Sequence, residues 1–129
     1  MTVNWVQIDA TQEVLGRLAS RIARIVMGKE KAEYTKAVND GDFVVVTNVS
    51  KIVVTGNKGK QKKYYTHSGQ PGKLKEKTYD MLLPVKALML AVKGMLPKNS
   101  LGRQMLKKVR LVEGETHPYS AQKPVAIAQ

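Results

Sequence analysis

The chain has 129 residues, and this length favours a single domain. A hydrophobic fraction of 43% argues against wholesale disorder, and the absence of cysteine excludes both disulfides and cysteine-based zinc sites. Lysine and arginine outnumber aspartate and glutamate by 22 to 10, which gives a net charge of +12 and makes polyanions the expected partners.

The N-terminal part of the chain predicts a strand followed by a helix. Trp5–Ile8 is a short apolar run that predicts the first strand. Apolar residues then recur at helical spacing, which predicts an amphipathic helix over about 12–27. Thr11 is the expected N-cap of this helix, and Gly28 is the expected C-terminal cap.

A second strand is predicted after the turn at 40–42. The run at 43–47 is continuously apolar and β-branched, as is typical of a strand covered on both faces. The order strand, helix, strand favours a parallel βαβ unit with a right-handed crossover. Residues 51–55 fit either another strand or a short helix entered at Ser50.

The remainder of the chain alternates between predicted strands and helices. A strand is expected at 62–67, a loop at 68–72 and a last strand at 109–112. Helices punctuated by Pro84 and Pro97 are expected at 78–83, 85–95 and 100–107. The tail from Gly114 is expected to be irregular and peripheral. The pattern predicts an α/β domain with a mainly parallel sheet.

The positive charge is concentrated in one segment. Residues 1–57 carry a net charge of +1, residues 58–110 carry +12, and residues 111–129 carry −1. We therefore divide the single domain, 1–129, into a scaffold half at about 1–57, a basic segment at about 58–110 and a tail at about 114–129. The basic segment is predicted to contact the polyanion.

No metal, membrane or catalytic site is predicted. The only histidines, His67 and His117, are too far apart to form a local metal-binding motif. The N-terminus has no secretory pattern, and lysines interrupt the longest apolar stretch, 81–97, which disfavours a membrane span. No nucleophile elbow or dinucleotide-binding glycine motif is present. We expect no cofactor, no small-molecule substrate and no enzymatic activity. Turn and capping roles account for the scaffold aspartates, Asp9, Asp40 and Asp42.

Two short stretches have the composition of phosphate-contacting sites. Residues 67–75 combine small residues with lysines, and a plain surface turn explains them equally well. In 97–103, Pro97 should end one helix and Ser100 should cap the next, leaving amides open to a phosphate. Gly102 would permit close approach, or it would serve helix packing. The same tripeptide recurs with Gly16, for which packing is at least an equal explanation.

A pair of neighbouring tyrosines is also informative. Tyr64 and Tyr65 should point to opposite faces of their strand. One is expected to pack inside, while the other is available to stack on a base or sugar.

Several motifs occur in order along the chain: LGRLAS at 15–20, GDFVVV at 41–46, TGNK at 55–58, HSGQPG at 67–72, AVKGMLPKN at 91–99, LGR at 101–103 and HPYSAQKP at 117–124. With these motifs at compatible spacing, nearly the whole chain, from about Trp5 to Pro124, resembles the bacterial form of the ribosomal large-subunit protein thirteen family. Departures from the family pattern are Lys73 in place of a usual glycine, a shorter stretch at 80–91 interrupted by Pro84, and Tyr119 in place of a common histidine.

The resemblance implies a three-layer α/β/α fold with a four-stranded, mainly parallel sheet. It also implies a structural role in the large ribosomal subunit, with 23S-type ribosomal RNA as the ligand and a part in early subunit assembly. The implied partners are large-subunit ribosomal RNA and neighbouring large-subunit ribosomal proteins, ribosomal protein three among them. The implied location is the cytoplasmic ribosome, with an organellar mature form as the alternative.

Together, the charge pattern, the motifs and the resemblance predict one RNA-binding surface. Its candidate residues lie mostly in the basic segment and include one scaffold arginine and part of the tail: Arg17, Lys58, Lys60, Lys62, Lys63, His67, Ser68, Gly69, Gly72, Lys73, Lys75, Lys93, Gly94, Lys98, Asn99, Gly102, Arg103, Lys107, Lys108, Arg110, His117, Gln122 and Lys123. The alternative function is that of a general nucleic-acid-binding architectural protein.

Overall fold

The computed structural model describes residues 3–32, 39, 41–55, 61–72, 74–79 and 82–127. These residues form strands, helices and short 3-10 turns. In chain order they are β1 (Trp5–Asp9), α1 (Leu15–Met27), β2 (Phe43–Thr47), a 3-10 turn (Val49–Lys51), β3 (Lys63–His67), β4 (Leu74–Thr78), α2 (Pro84–Met95), α3 (Ser100–Leu106), β5 (Val109–Leu111), a second 3-10 turn (Ser120–Gln122) and β6 (Val125–Ala126).

A four-stranded parallel sheet organises the domain, as the sequence predicted. Its strand order is β5-β2-β1-β6, and every neighbouring pair runs parallel. Trp5 is paired with Phe43 and Ile8 with Val46, so β1 and β2 are in register along their whole length. The α/β class and the parallel βαβ unit are therefore confirmed.

The helices cover one face of this sheet. Ile8, Val44 and Val46 point into a hydrophobic core shared with α1 and α2. Leu18 and Ile22 from α1 are almost completely buried, because the apolar stripe of this helix faces the sheet. The apolar side chains of α1 and the inward-facing side chains of β1 and β2 therefore form one hydrophobic core.

The opposite face of the sheet is covered by aromatic residues and the C-terminal segment. Trp5 stacks on Phe43 with ring centroids 4.5 Å apart, and the Tyr119 ring lies 5.7 Å from Trp5. Val45, which shares this face, is completely buried. The segment containing the second 3-10 turn therefore forms the layer opposite the helices.

Strands β3 and β4 form a separate antiparallel hairpin. Tyr64 is paired with Lys77, and Thr66 is paired with Lys75. Nearly all side chains of these two strands are exposed or half-buried. β4 was missed in the sequence because its alternating charges lack the β-branched and aromatic composition typical of strands.

One prediction about the C-terminal half was wrong. The tail is not merely peripheral, because β6 pairs with β1 and Ile127 packs against the core. The predicted helix at 85–95 is confirmed as α2, and Pro84 begins it at its first helical position, where its missing N–H has no consequence. The predicted helix at 78–83 lies partly outside the described residues.

The ends of α1 only partly match the predictions. Gly28 caps the C-terminus in the left-handed conformation, as expected. Thr11 is not the N-cap, because the helix begins later, after Val14, which provides no side-chain cap. The ambiguous segment 51–55 continues from a 3-10 turn into an isolated parallel bridge between Val53 and Val14.

Gly41, just before β2, lies directly against the backbone at the end of α1. A Cβ atom added at Gly41 would overlap the carbonyl group of Val26. We expect Gly41→Ala to lower the free energy of unfolding by about 1–3 kcal/mol, because backbone atoms cannot yield as a side chain does. Urea denaturation measures this change. Gly114→Ala is the control, since its Cβ would meet nothing, and equal effects of the two substitutions would contradict the expectation.

Asp9 holds together the loop ends that follow β1 and β2. Its Oδ1 atom accepts hydrogen bonds from the Thr11 hydroxyl at 2.6 Å, the Thr11 amide at 2.9 Å and the Asn48 side-chain amide at 3.0 Å. These hydrogen bonds, led by the Thr11 hydroxyl, lower the pKa of the Asp9 carboxyl below its ordinary value of 3.8.

A lowered folded-state pKa makes this stabilisation dependent on pH. It is fully present above the unfolded-state pKa and is lost as the pH falls through the folded value. We expect Asp9→Asn to be less stable than wild type at about pH 7, with the difference shrinking below about pH 4. Urea denaturation across this range tests the prediction. A difference that does not change with pH would contradict it.

Candidate nucleic-acid interface

A cleft of about 910 Å³ separates the β3–β4 hairpin from the helical layer, and we name it the hairpin cleft. The hairpin forms one wall, and α2 with the first turn of α1 forms the other. The Ser20 hydroxyl lies 3.7 Å from the Met95 sulfur, so the N-terminal half of α1 meets the C-terminal end of α2. This arrangement brings the start of one helix and the end of the other to the same opening.

The rim of the cleft is basic. Its cations come from the residue before β3, from both strands of the hairpin and from α2: Lys62, Lys63, Lys75, Lys77 and Lys86. All five side chains are exposed, and no acidic residue lines the cleft among the residues that the structure describes. Glu76 stands on the hairpin outside the lining and lies 3.8 Å from the Lys63 ammonium. Several cations without opposing carboxylates attract an anion with multiple charges.

Both tyrosines of β3 contribute atoms to the cleft lining, but their rings point to opposite faces of the hairpin. Tyr64 is paired with Lys77, which also lines the cleft, so its ring lies on the cleft face. It is half-buried, with the Lys62 ammonium 5.9 Å from its ring centroid, and burial raises the pKa of its hydroxyl above the ordinary value. Tyr65 is paired with Glu76, which lies outside the lining, and is 58% exposed on the outer face. The two tyrosines therefore face opposite sides of their strand, as the sequence predicted.

The floor of the cleft is apolar. It is formed mainly by Leu15, Val54, Leu90 and Met95. Leu90 and Met95 are 39% and 41% exposed, although both are large hydrophobic residues. The cleft thus combines a cationic rim with a floor that gains free energy when it is covered.

Two glycines open this floor. Gly16 lies in the first turn of α1 and Gly94 lies near the end of α2, and both line the cleft. A Cβ at either position would meet no atom within 4 Å. Helix packing therefore does not explain Gly16, contrary to one of the two interpretations of the sequence.

The tip of the hairpin lies outside the cleft lining. His67, Ser68, Gly69 and Gly72 are all exposed there. Gly69 and Gly72 have positive φ angles of 92° and 76°, and the His67 Nδ1 atom accepts a hydrogen bond from the Gly69 amide at 2.9 Å. The turn itself therefore requires these glycines. Lys73, which completes the predicted phosphate loop, lies outside the described residues.

A second group of candidates surrounds α3. Lys98, Arg103 and Lys107 are exposed, and the last two are one helical turn apart. Asn99, not Ser100, caps this helix, because its side-chain oxygen accepts a hydrogen bond from the Gly102 amide at 2.9 Å. The helix start is therefore already capped from within the chain.

Gly102 has a packing role instead of leaving room for a phosphate. The residue is buried, and an added Cβ would overlap the carbonyl oxygen of Pro97. Close contact between the turn and α3 therefore explains this glycine.

A third group lies toward the other face of the sheet. Arg110 is paired with Val45 and shares the face opposite the helices. The Lys108 ammonium donates hydrogen bonds to the carbonyl oxygens of Gly41 at 2.7 Å and Asn39 at 3.2 Å and lies 5.6 Å from the Phe43 ring centroid. Lys108 is thus held by its own chain.

The tail candidates belong to this third group. His117 stacks near Tyr119, which contacts Trp5, and its Nδ1 atom accepts a hydrogen bond from the Tyr119 amide at 3.1 Å. Gln122 and Lys123 follow in and after the second 3-10 turn and are exposed. The predicted residues therefore form several surfaces instead of a single patch.

Two exposed cations adjoin the hairpin cleft without lining it. Arg17 follows Gly16 on α1, and Lys93 is seven positions after Lys86 on α2, which places both lysines on one helix face. Lys58 and Lys60 lie outside the described residues.

Sequence reasoning missed Lys77 and Lys86 as candidates and did not assign Tyr64 or Tyr65 to the site. The alternation of Lys75 with Lys77 was a usable signal, because alternate residues of a strand share a face. The heptad spacing of Lys86 and Lys93 was another.

Other kinds of site find no support in the described ranges. Their His, Cys, Asp and Glu side chains form no group of three that could hold a metal ion. No helix among the described residues is long and apolar enough to cross a membrane.

Comparison with known proteins finds a matching family model and several similar proteins. Residues 3–118 match the family model described as "Ribosomal protein L13". Relatives named "Large ribosomal subunit protein uL13" include one from Dechloromonas aromatica (strain RCB), 55% identical over 95% of this chain and 89% of the relative. Others come from Hahella chejuensis, 50% identical over 96% and 89%, and Burkholderia pseudomallei (strain 668), 52% identical over 98% and 92%.

The match spans most of the chain, and high identity extends over nearly the full length of each relative. The chain therefore belongs to the ribosomal protein L13 family, whose members are structural constituents of the large ribosomal subunit and not enzymes.

Proposed function

We propose that this protein binds large-subunit, 23S-type ribosomal RNA and supports early assembly of the subunit in the cytoplasmic ribosome. The observation that carries the proposal is the rim of the hairpin cleft, which five exposed lysines and no carboxylate line among the described residues. Phosphates neutralise such a surface and release counterions.

The cations around α3 and on the reverse side of the sheet extend this contact. Lys98, Arg103 and Lys107 lie on or beside α3, while Arg110 and Lys123 lie toward the other side. Surfaces on different sides of one small domain fit a protein held between several RNA segments better than one lying on a single duplex. Neighbouring large-subunit proteins then contact the less basic scaffold half.

Phosphate contacts make the affinity depend on salt. We expect the logarithm of the association constant for purified large-subunit RNA to fall by about 0.7–0.9 per contact for each tenfold rise in salt. Removing two rim contacts in Lys75→Gln/Lys77→Gln should make this slope shallower by about two such increments. Filter binding over a salt series measures the slope.

The matched control is Lys29→Gln/Lys51→Gln, which removes the same charge from exposed scaffold positions. Its slope should match that of wild type. Equal changes in the two double variants would mean that net charge alone controls binding. An equal affinity of wild type for duplex DNA would instead favour a general architectural protein.

Assembly gives an independent test. Reversal of four cations on the hairpin and near α3, in the variant Lys62→Glu/Lys63→Glu/Lys98→Glu/Arg103→Glu, should abolish incorporation into the subunit, because a repulsive surface replaces an attractive one. Sedimentation of a tagged copy reports incorporation, and circular dichroism verifies the fold. Normal incorporation of the folded variant would refute the assignment of these surfaces.

A further inference from the structure

We propose that the hairpin cleft holds a short unpaired stretch of RNA, with phosphates on its lysine rim and at least one base against Tyr64 and the apolar floor. The inference rests on the proposed function, since it names the kind of RNA that one part of the RNA-binding surface takes. It goes further in separating this cleft from the outer cationic surfaces, which suit the backbone of folded helices.

The shape of the cleft favours an unpaired strand over a duplex. Its volume of about 910 Å³ lies in the range of sites that enclose small molecules, about 300–1,000 Å³. Double-helical RNA keeps its bases stacked inside and offers phosphates and 2′-hydroxyls on a broad surface. A duplex would engage the lysine rim but leave the floor uncovered.

The chemistry of the walls matches both parts of an unpaired nucleotide. Rim lysines pair with phosphates, and an aromatic ring beside them stacks on a base of any sequence. Tyr64 supplies that ring, because its pairing with Lys77 places it on the cleft face of the hairpin and it is only half-buried. The Lys62 ammonium lies 5.9 Å from the centroid of this ring, so a cation for the phosphate stands beside the stacking surface.

The two open glycines supply an independent argument. Glycine is a poorer helix former than alanine, and neither Gly16 nor Gly94 is required by neighbouring atoms. By contrast, Gly41 and Gly102 are required by the backbone atoms beside them. The two unexplained helical glycines both line the hairpin cleft, where a side chain would occupy the space that a ligand needs.

An acidic peptide is the alternative occupant. It would match the lysines, and apolar side chains on it would match the floor. The basic surface continues past the cleft to Lys93 on the same face of α2, which suits a polyanion of regular charge spacing. RNA is therefore the occupant that the observations favour.

The test fills the cleft without changing its charge. Gly16→Leu and Gly94→Leu, alone and combined, place side chains in open space on the floor, so the fold is expected to be retained. Gly114→Leu is the matched control, because that glycine also has open space and lies outside the cleft lining. The full-length protein is used throughout, and thermal melting verifies folding.

Fluorescence anisotropy compares two RNAs with equal numbers of phosphates, an oligouridylate of about eight nucleotides and a short duplex. The combined cleft variant should bind the oligouridylate about tenfold more weakly than wild type, through lost stacking and floor contact. Its affinity for the duplex should stay within about twofold, since the rim is intact. Gly114→Leu should match wild type with both RNAs.

Several outcomes would overturn the proposal. One is an oligouridylate affinity that the filled cleft leaves unchanged. Another is an equal loss of oligouridylate and duplex binding. A third is an oligoglutamate peptide that wild type binds more tightly than oligouridylate and that the filled cleft excludes.

Salt-dependent binding to purified large-subunit RNA separates the two levels of the argument. If wild type and the filled variant both retain it while oligouridylate binding is unchanged, only the cleft assignment fails. If wild type lacks it, the proposed function fails as well.

Discussion

Val44, Val45 and Val46 lose all contact with solvent in the middle of the sheet, since β2 is paired on both edges and covered on both faces. The other elements are placed with respect to this strand. β1 and β5 pair with it in parallel, and the steps from β1 to β2 and from β2 to β5 run in the same direction along the sheet. Right-handed crossovers therefore place α1 and α2 on the same face. This placement brings the start of α1 to the end of α2, where Ser20 meets Met95 and the floor of the hairpin cleft forms.

The hairpin stands apart from this buried frame. Strands β3 and β4 contribute little to the core, and a two-stranded hairpin with so little apolar burial is marginally stable in water. The clustered lysines add repulsion, which Glu76 offsets only at Lys63 across a 3.8 Å gap between half-exposed side chains. A polyanion would relieve this repulsion, so a hairpin that buries little apolar surface would gain stability from an anionic ligand.

The sequence predicted the elements whose cause is local. The β-branched run of β2 and the apolar stripe of α1 indicate which of their residues are buried. The Gly28 cap is predicted by its position after the last apolar residue of the helix. The sequence could not predict β6, because Val125 pairs with Val6 at a sheet edge formed by β1, which lies at the other end of the chain. The internal contacts of Lys108 could not be predicted for a similar reason, because only the fold brings its ammonium to the Gly41 carbonyl.

The glycines show why the site was harder to predict than the fold. In sequence, Gly16 and Gly102 share the same Leu-Gly-Arg tripeptide, and a packing role suited both. In three dimensions Gly102 is buried against Pro97, whereas Gly16 faces open space. The backbone atoms of Pro97 explain why residue 102 is a glycine. Gly16 lowers helix stability with no compensating contact inside the chain, and such a residue is expected where a fold keeps room for a partner.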